Sequence, residues 1–67
     1  MEDPANCKDL WLYEQGFEGN GDGIWEEVWS LPALESLDLE LNKLTCIPPN
    51  IVSLTNLDKL NVSQNAI

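Results

Sequence analysis

Leucine-rich strings recur along the chain at a regular spacing. Residues 34–44 read LESLDLELNKL and residues 57–67 read LDKLNVSQNAI, and their apolar positions match one for one at a constant offset, as in Leu37 and Leu60. In the first of these strings Leu37 and Leu39 alternate with polar residues. Alternation with a period of two is typical of a short strand that buries one side. The sequence therefore predicts short strands that stack in parallel and join their leucines into one core.

A looser copy of the string lies in the N-terminal part. CKDLWLYEQGF (7–17) matches the second copy at a longer offset, as in Leu10 and Leu37, so the first unit carries four additional residues. They fall inside the loop EGNGDG (18–23), between Phe17 and Ile24, which we expect to be core anchors. The pattern divides the chain into an N-terminal tail over 1–6 and a repeat domain over 7–67, with units 7–33, 34–56 and a partial unit 57–67.

The segments between the strings predict short helical pieces. In IWEEVWSLPAL the apolar residues at 24, 28 and 31 have helical spacing, and Pro32 then limits the helix. The segment after Pro48 and Pro49 is shorter and predicts one turn or a short 3₁₀ piece. Trp25 and Trp29 share a helix face, and we expect them to shield an exposed end of the stack.

The string L-x-x-L-x-L-x-x-N-x-L resembles the leucine-rich repeat. LESLDLELNKLTCIPPNIVSLTN is similar to the 23-residue class found in intracellular Ras-scaffold proteins and related plant proteins. The likeness covers residues 7–67 and is looser over 7–33, where Gln15 replaces Asn and Trp25 replaces Pro. It implies an α/β fold: a leucine-rich-repeat solenoid with short parallel strands on the concave face and short helical or 3₁₀ segments on the convex face. Asn42 and Asn65 are expected to satisfy backbone groups of the turn and of the neighbouring unit.

Two aromatic residues occupy outward positions on the first strand. Trp11 and Tyr13 would lie on the concave face beside polar and apolar positions of the second unit. Large aromatics beside carboxylates suit a protein partner that carries Arg or Lys. Family members commonly bind proteins on this face, so the resemblance also implies protein binding. The predicted contact residues are Trp11, Tyr13, Asp38, Glu40 and Leu41; in the alternative, the rings are hidden against the N-terminal tail.

Charge narrows the classes of partner. The net charge is −9, and residues 1–40 hold eleven of the twelve acidic residues. This argues against nucleic acid and anionic membranes, and it favours either a basic protein surface or mere solvation of an apolar domain. Met1–Pro4 is acidic and has no apolar segment typical of a secretory signal. We therefore expect a cytoplasmic protein in which Cys7 and Cys46 are reduced.

The loop string Asn20-Gly21-Asp22-Gly23 looks like part of a calcium loop. Aligned over residues 18–29, it offers Glu18, Asn20 and Asp22 as weak candidate ligands, but the closing position is Trp29 and not the bidentate Glu that such a site uses. The alternative is an insertion in a surface turn, where Gly and Asn supply positive φ. Calcium binding is thus a minor alternative.

Catalysis has little support in the sequence. There is no histidine, no Gly-rich phosphate loop and no nucleophile with a base near it, so we expect neither enzyme activity nor a cofactor. Repeat proteins usually need about three units and polar caps. The last strand, over residues 58–63, is predicted to expose an edge. The alternative function is structural: either the chain is a fragment or truncated product, or it self-associates through this C-terminal edge strand.

Overall fold

Short strands pair in parallel along the chain. The computed structural model describes residues 6–67, so most of the predicted tail (1–5) lies outside the described residues. A three-stranded sheet has the order β1-β3-β5, and a two-stranded sheet pairs β2 with β4. The strands are β1 (Asp9–Trp11), β2 (Glu18–Gly19), β3 (Ser36–Asp38), β4 (Lys43–Leu44) and β5 (Lys59–Asn61).

The register of the larger sheet is the one that the repeat predicts. Leu10 pairs with Leu37, and Leu37 pairs with Leu60. The ladder continues past β1 and β3, since the Leu12 amide donates to the Asp38 carbonyl at 2.8 Å and the Leu39 amide to the Asn61 carbonyl at 2.7 Å. The predicted parallel pairing, and with it the two offsets of the repeat, is confirmed.

The middle unit forms the centre of the core. Leu34, Leu37, Leu39 and Leu44 are 0–1% exposed, because a neighbouring unit covers each of them on both sides. In the last unit the corresponding side chains are only partly buried (Leu57, Leu60 and Val62). Phe17 and Ile24 are buried in the first unit, so their predicted role as core anchors is confirmed.

Two asparagines tie each unit to the one before it. Asn42 is buried; its Nδ2 donates to the carbonyls of Leu12 and Leu39, both at 2.9 Å, and its Oδ1 accepts from the Phe17 amide at 3.1 Å. Asn65 repeats the arrangement one unit later, with Nδ2 donating to the Leu39 carbonyl at 2.9 Å. The predicted role of the two amides is confirmed.

Both return segments are short 3₁₀ helices, over Glu26–Ser30 and Pro49–Ser53. The prediction that Trp29 shields an end of the stack is wrong: it lies in the core and borders Asn50 and Ser53 of the neighbouring return segment. Trp25 is exposed, and its ring contacts Phe17 edge to face at 5.8 Å between centroids. The two tryptophans separate because Trp25 precedes the 3₁₀ helix with a non-helical backbone (ψ 135°), whereas Trp29 lies within the helix.

The EGNGDG loop packs against the second unit. Its first residues form β2, which pairs with β4 and which the sequence pattern does not predict. Gly21 has φ +84°, and a β-carbon built on it would lie 2.8 Å from Cγ of the fully buried Pro48. The loop therefore covers Pro48, and Gly21 allows that close approach.

The predicted solenoid is wrong. Residues 6–67 form two small separate parallel sheets and contain no α-helix, and the extents of the chain are 31 × 22 × 19 Å, those of a compact body. Three paired strands span only about 10 Å across the sheet, since neighbouring strands lie about 4.8 Å apart. So few units do not build the short solenoid with a concave face that the resemblance implied. What remains is a small parallel-stranded fold with 3₁₀ return segments.

Candidate protein-binding face

The outward side of β1, β3 and β5 brings together residues from all three units. We call this surface the strand face; it comprises Trp11, Tyr13, Asp38, Glu40 and Asn61. Trp11 pairs in register with Asp38, and Asp38 with Asn61, so the three lie side by side across the sheet. Trp11 is 69% exposed and Tyr13 is 48% exposed. Two large aromatic side chains therefore stand at one end of a polar surface.

The carboxylates of the strand face are held by an amide. Nδ2 of Asn61 donates to Oε1 of Glu40 at 2.9 Å and lies 3.4 Å from Oδ2 of Asp38. The other oxygen of Asp38, Oδ1, accepts from the Glu40 backbone amide at 2.8 Å. Asp38 is thus engaged through both oxygens, whereas no hydrogen bond within residues 6–67 reaches Oε2 of Glu40. Oε2 of Glu40 therefore stays available to accept a further hydrogen bond.

A turn of the same form follows β3 and β5. The Asp38 side chain accepts from the amide two residues on, and the Asn61 side chain likewise accepts from the Ser63 amide at 3.0 Å. Aspartate and asparagine favour turns of this kind. Trp11 holds the corresponding position in the first unit and has no such acceptor. The local turn therefore does not explain the presence of Trp11.

Leu41 lies at the edge of the strand face and is 38% exposed. Its φ is +58°, and Glu14 and Gln64 have φ of +53° and +58° at the corresponding positions of the other units. The left-handed backbone costs a non-glycine residue about 1–2 kcal/mol. Since all three units share it, this strain belongs to the repeat's turn and is not specific to Leu41.

Asn61 belongs to the strand face but is absent from the predicted contact residues. The repeat aligns it with Trp11 and Asp38, so its position is readable from the sequence. The sequence does not show that Asn61 donates hydrogen bonds to two carboxylates, because this depends on the side-chain torsions of Asn61 and Glu40.

The three weak candidate calcium ligands, Glu18, Asn20 and Asp22, lie in a loop that packs beside Lys43. Glu18 lies in β2 and pairs in register with Lys43, which borders the same open depression as Asn20 and Asp22. Within residues 6–67, no group of three or more Asp, Glu, His or Cys side chains is arranged to hold a metal ion. The ammonium group of Lys43 would also oppose a divalent cation there.

No protein-family model, no curated protein and no solved structure matches this chain. The resemblance to leucine-rich repeats therefore stays a prediction from the sequence. In the part of the chain that the structure describes, no helix is both long enough and apolar enough to cross a membrane.

Proposed function

We propose that this chain is a protein-binding module that contacts its partner through the strand face. The observation that supports it is the exposure of Trp11 and Tyr13 beside the carboxylates of Asp38 and Glu40. Trp and Tyr are enriched among the residues that dominate binding energy.

The chemistry of the face favours a partner segment that carries arginine or lysine. A guanidinium group stacks on the Trp11 indole and at the same time pairs with a carboxylate such as Glu40. Asn61 holds the Glu40 side chain in place before the partner arrives, which lowers the entropy lost on binding. The net charge of −9 adds a long-range attraction for a basic partner, and that attraction weakens as salt is added.

The experiment is a quantitative comparison of proteins captured from a cell extract by four immobilised chains. These are the native chain, Trp11→Ala, Glu40→Gln and Val52→Ala. Glu40→Gln removes the charge but keeps an oxygen that accepts from Asn61, so the strand face keeps its shape. Val52 is 80% exposed on a return segment and serves as the matched control for loss of an exposed apolar group.

The proposal requires a set of proteins that the native chain and Val52→Ala retain equally and that both strand-face variants lose. Each such protein is then purified, and its affinity is measured by calorimetry at two salt concentrations. Equal capture by all four chains contradicts the assignment of this face. Capture that depends on Trp11 but is independent of Glu40 and of salt contradicts the basic character of the partner.

We also propose that the role of this chain is binding and not catalysis. We propose further that the chain is located in the cytoplasm. The sequence lacks histidine, and both cysteines are free thiols, with Cys46 exposed. Blocking free thiols with an alkylating reagent at the moment of cell lysis tests the location. If both thiols are recovered in disulfides, the cytoplasmic assignment is wrong.

A further inference from the structure

We propose that two copies of this chain pair through β5 around a two-fold axis at Leu60, which makes one continuous six-stranded sheet. The pairing uses the open backbone edge of β5, which adjoins the strand face at Asn61. The inference rests on three observations: the direction of the backbone groups of β5, the incomplete burial of the last unit, and the distribution of charge along the chain.

The backbone of β5 has one side paired and one side open. The Lys59 amide donates to the Glu35 carbonyl at 2.9 Å, the Asn61 carbonyl accepts from Leu39 at 2.7 Å, and the Ser63 carbonyl accepts from Leu41 at 3.1 Å. Alternate residues of a strand direct their N–H and C=O groups to opposite edges. The N–H and C=O of Leu60 therefore point away from β3, and β5 is the last strand of the sheet in the described chain.

The side chains under β5 lack the cover that the middle unit has. Leu34, Leu37 and Leu39 are 0–1% exposed. Their counterparts, Leu57, Leu60 and Val62, are only partly buried, and Ile67 beyond them is 59% exposed. A strand added to the edge of β5 would give Leu60 and Val62 a neighbour on their second side, as Leu37 and Leu39 have in the middle unit. Open edges of this kind are templates for pairing with another chain.

Charge favours a second copy that approaches with its own β5. Residues 41–67 hold Lys43, Lys59 and one acidic residue, Asp58, whereas the other eleven acids lie in residues 1–40. A two-fold arrangement joins the nearly neutral ends and keeps the acidic parts on the far sides of the dimer. It also closes the assembly, because the same surface is used on both copies.

A head-to-tail stack fits less well. The first unit of one copy would then lie on the last unit of another, and Gln15 would have to reach back as Asn42 and Asn65 do. Gln15 is exposed, and its side chain is one methylene longer than that of asparagine, so its amide fits this position less well. Such a stack would also be open-ended and would grow without limit.

The two-fold register is specific. Leu60 faces Leu60 of the other copy, and each donates its N–H to the carbonyl of the other. Lys59 then faces Asn61 of the other copy in both directions, so no like charges are opposed. Lys59 and Asn61 form the closer, non-hydrogen-bonded type of pair, with Cα atoms about 4.5 Å apart, which suits a disulfide.

Sedimentation equilibrium over a concentration series is the first test, at low and at moderate NaCl. The expected mass rises from one chain to two and no further, and added salt strengthens the association because it screens the net charge of −9 on each copy. A monomer at every concentration and salt overturns the proposal. Continuous growth beyond two chains also overturns it, since that is the signature of the open-ended stack.

The second test places a methyl group on the Leu60 backbone nitrogen, in a chain joined by ligation at Cys46. The methyl group removes the outward N–H and leaves the side chain intact, so about a tenfold weaker dimer is expected from the two lost hydrogen bonds. Unchanged association contradicts the role of Leu60. If the methylated chain does not fold, the hydrogen-exchange rate of the Leu60 amide is measured in the native chain instead. An exchange rate that falls as protein concentration rises supports the pairing. A rate that does not depend on protein concentration overturns it.

The third test identifies the register. In a background that carries Cys7→Ala and Cys46→Ser, and so has no other thiol, Lys59→Cys and Asn61→Cys chains are oxidised separately and as a mixture. The mixture is expected to form a disulfide between unlike chains, whereas either chain alone stays largely uncrosslinked because its two cysteines lie on a diagonal. Equal crosslinking of the separate chains would contradict the two-fold axis at Leu60.

Discussion

The Nδ2 atom of Asn61 donates a hydrogen bond to Oε1 of Glu40 at 2.9 Å, across neighbouring strands of the sheet. The same nitrogen lies 3.4 Å from Oδ2 of Asp38, and Oδ1 of Asn61 accepts from the Ser63 amide. One side chain of the last unit therefore positions the two carboxylates proposed to meet a partner and also holds the turn that follows its own strand.

Replacing Asn61 with alanine is expected to destabilise the fold by about 1–2 kcal/mol, because hydrogen bonds to charged acceptors are among the stronger ones. Urea denaturation followed by circular dichroism measures the change. Ser63→Ala is the control, since Ser63 takes part through its backbone amide only. An equal loss of stability in both variants would mean that the side-chain contacts of Asn61 contribute nothing measurable.

Asn42 and Asn65 are expected to contribute unequally to the stability of the fold. Asn42 is 6% exposed and makes contacts to Leu12, Leu39 and Phe17 that water cannot replace. Asn42→Ala should lower the free energy of unfolding by at least about 3 kcal/mol, because several buried backbone groups lose their partner.

Asn65 is less buried, so Asn65→Ala should have a clearly smaller effect, and Gln15→Ala a smaller one still. If Asn42→Ala is unfolded in buffer, titration with trimethylamine N-oxide restores a measurable transition. Equal effects at the three positions would contradict the dependence on burial.

Gly21→Ala and Gly16→Ala separate backbone strain from steric clash. Both glycines have positive φ, +84° and +80°, but only at Gly21 would a β-carbon lie 2.8 Å from Cγ of Pro48; at Gly16 nothing lies within 4 Å. Gly16→Ala should lose about 1 kcal/mol from the left-handed backbone alone.

Gly21→Ala should lose about 1–3 kcal/mol more than Gly16→Ala, since Pro48 is fully buried and cannot move aside. Thermal denaturation compares the two variants. Equal losses would show that the EGNGDG loop is not packed on Pro48 in solution.

Calcium chloride is expected to change stability no more than magnesium or sodium chloride at the same ionic strength. The reason is that Glu18 faces Lys43 across β2 and β4, so a cation near Asn20 and Asp22 meets a positive charge. Any stabilisation should follow ionic strength, which screens the net charge of −9. A rise in melting temperature with millimolar calcium, but not with magnesium, would support calcium binding by this loop.

The repeat accounts for much of the fold because equivalent residues of neighbouring units lie side by side in the sheet. The alignment of Leu10, Leu37 and Leu60 follows from the sequence alone, and so does the ladder role of Asn42. The overall form could not be read from the resemblance. Long curvature accumulates over many units, and these few make two small sheets in a compact body.

The sequence predicts which side chains lie on the strand face, but it does not predict the hydrogen bonds between them. The alternation of side chains places Trp11, Tyr13, Asp38 and Glu40 outward, as the structure has them. The bond from Asn61 to Glu40 depends on side-chain torsions, which the spacing of residues does not determine. The prediction for Trp29 is wrong because it assumes one helix that contains both Trp25 and Trp29, whereas the 3₁₀ helix begins at Glu26.

The sequence by itself determined the register of β1, β3 and β5, the leucines of the core and the asparagines that join the units, because these follow from the alternation within each string and the spacing between the strings. Tertiary structure alone decided that the EGNGDG loop pairs through β2 with β4 and covers Pro48, since that contact joins residues about one unit apart with no shared pattern. It also decided that Leu57, Leu60 and Val62 stay half covered. Burial depends on what lies on both sides of a strand, and β5 has a neighbour on one side only among the described residues.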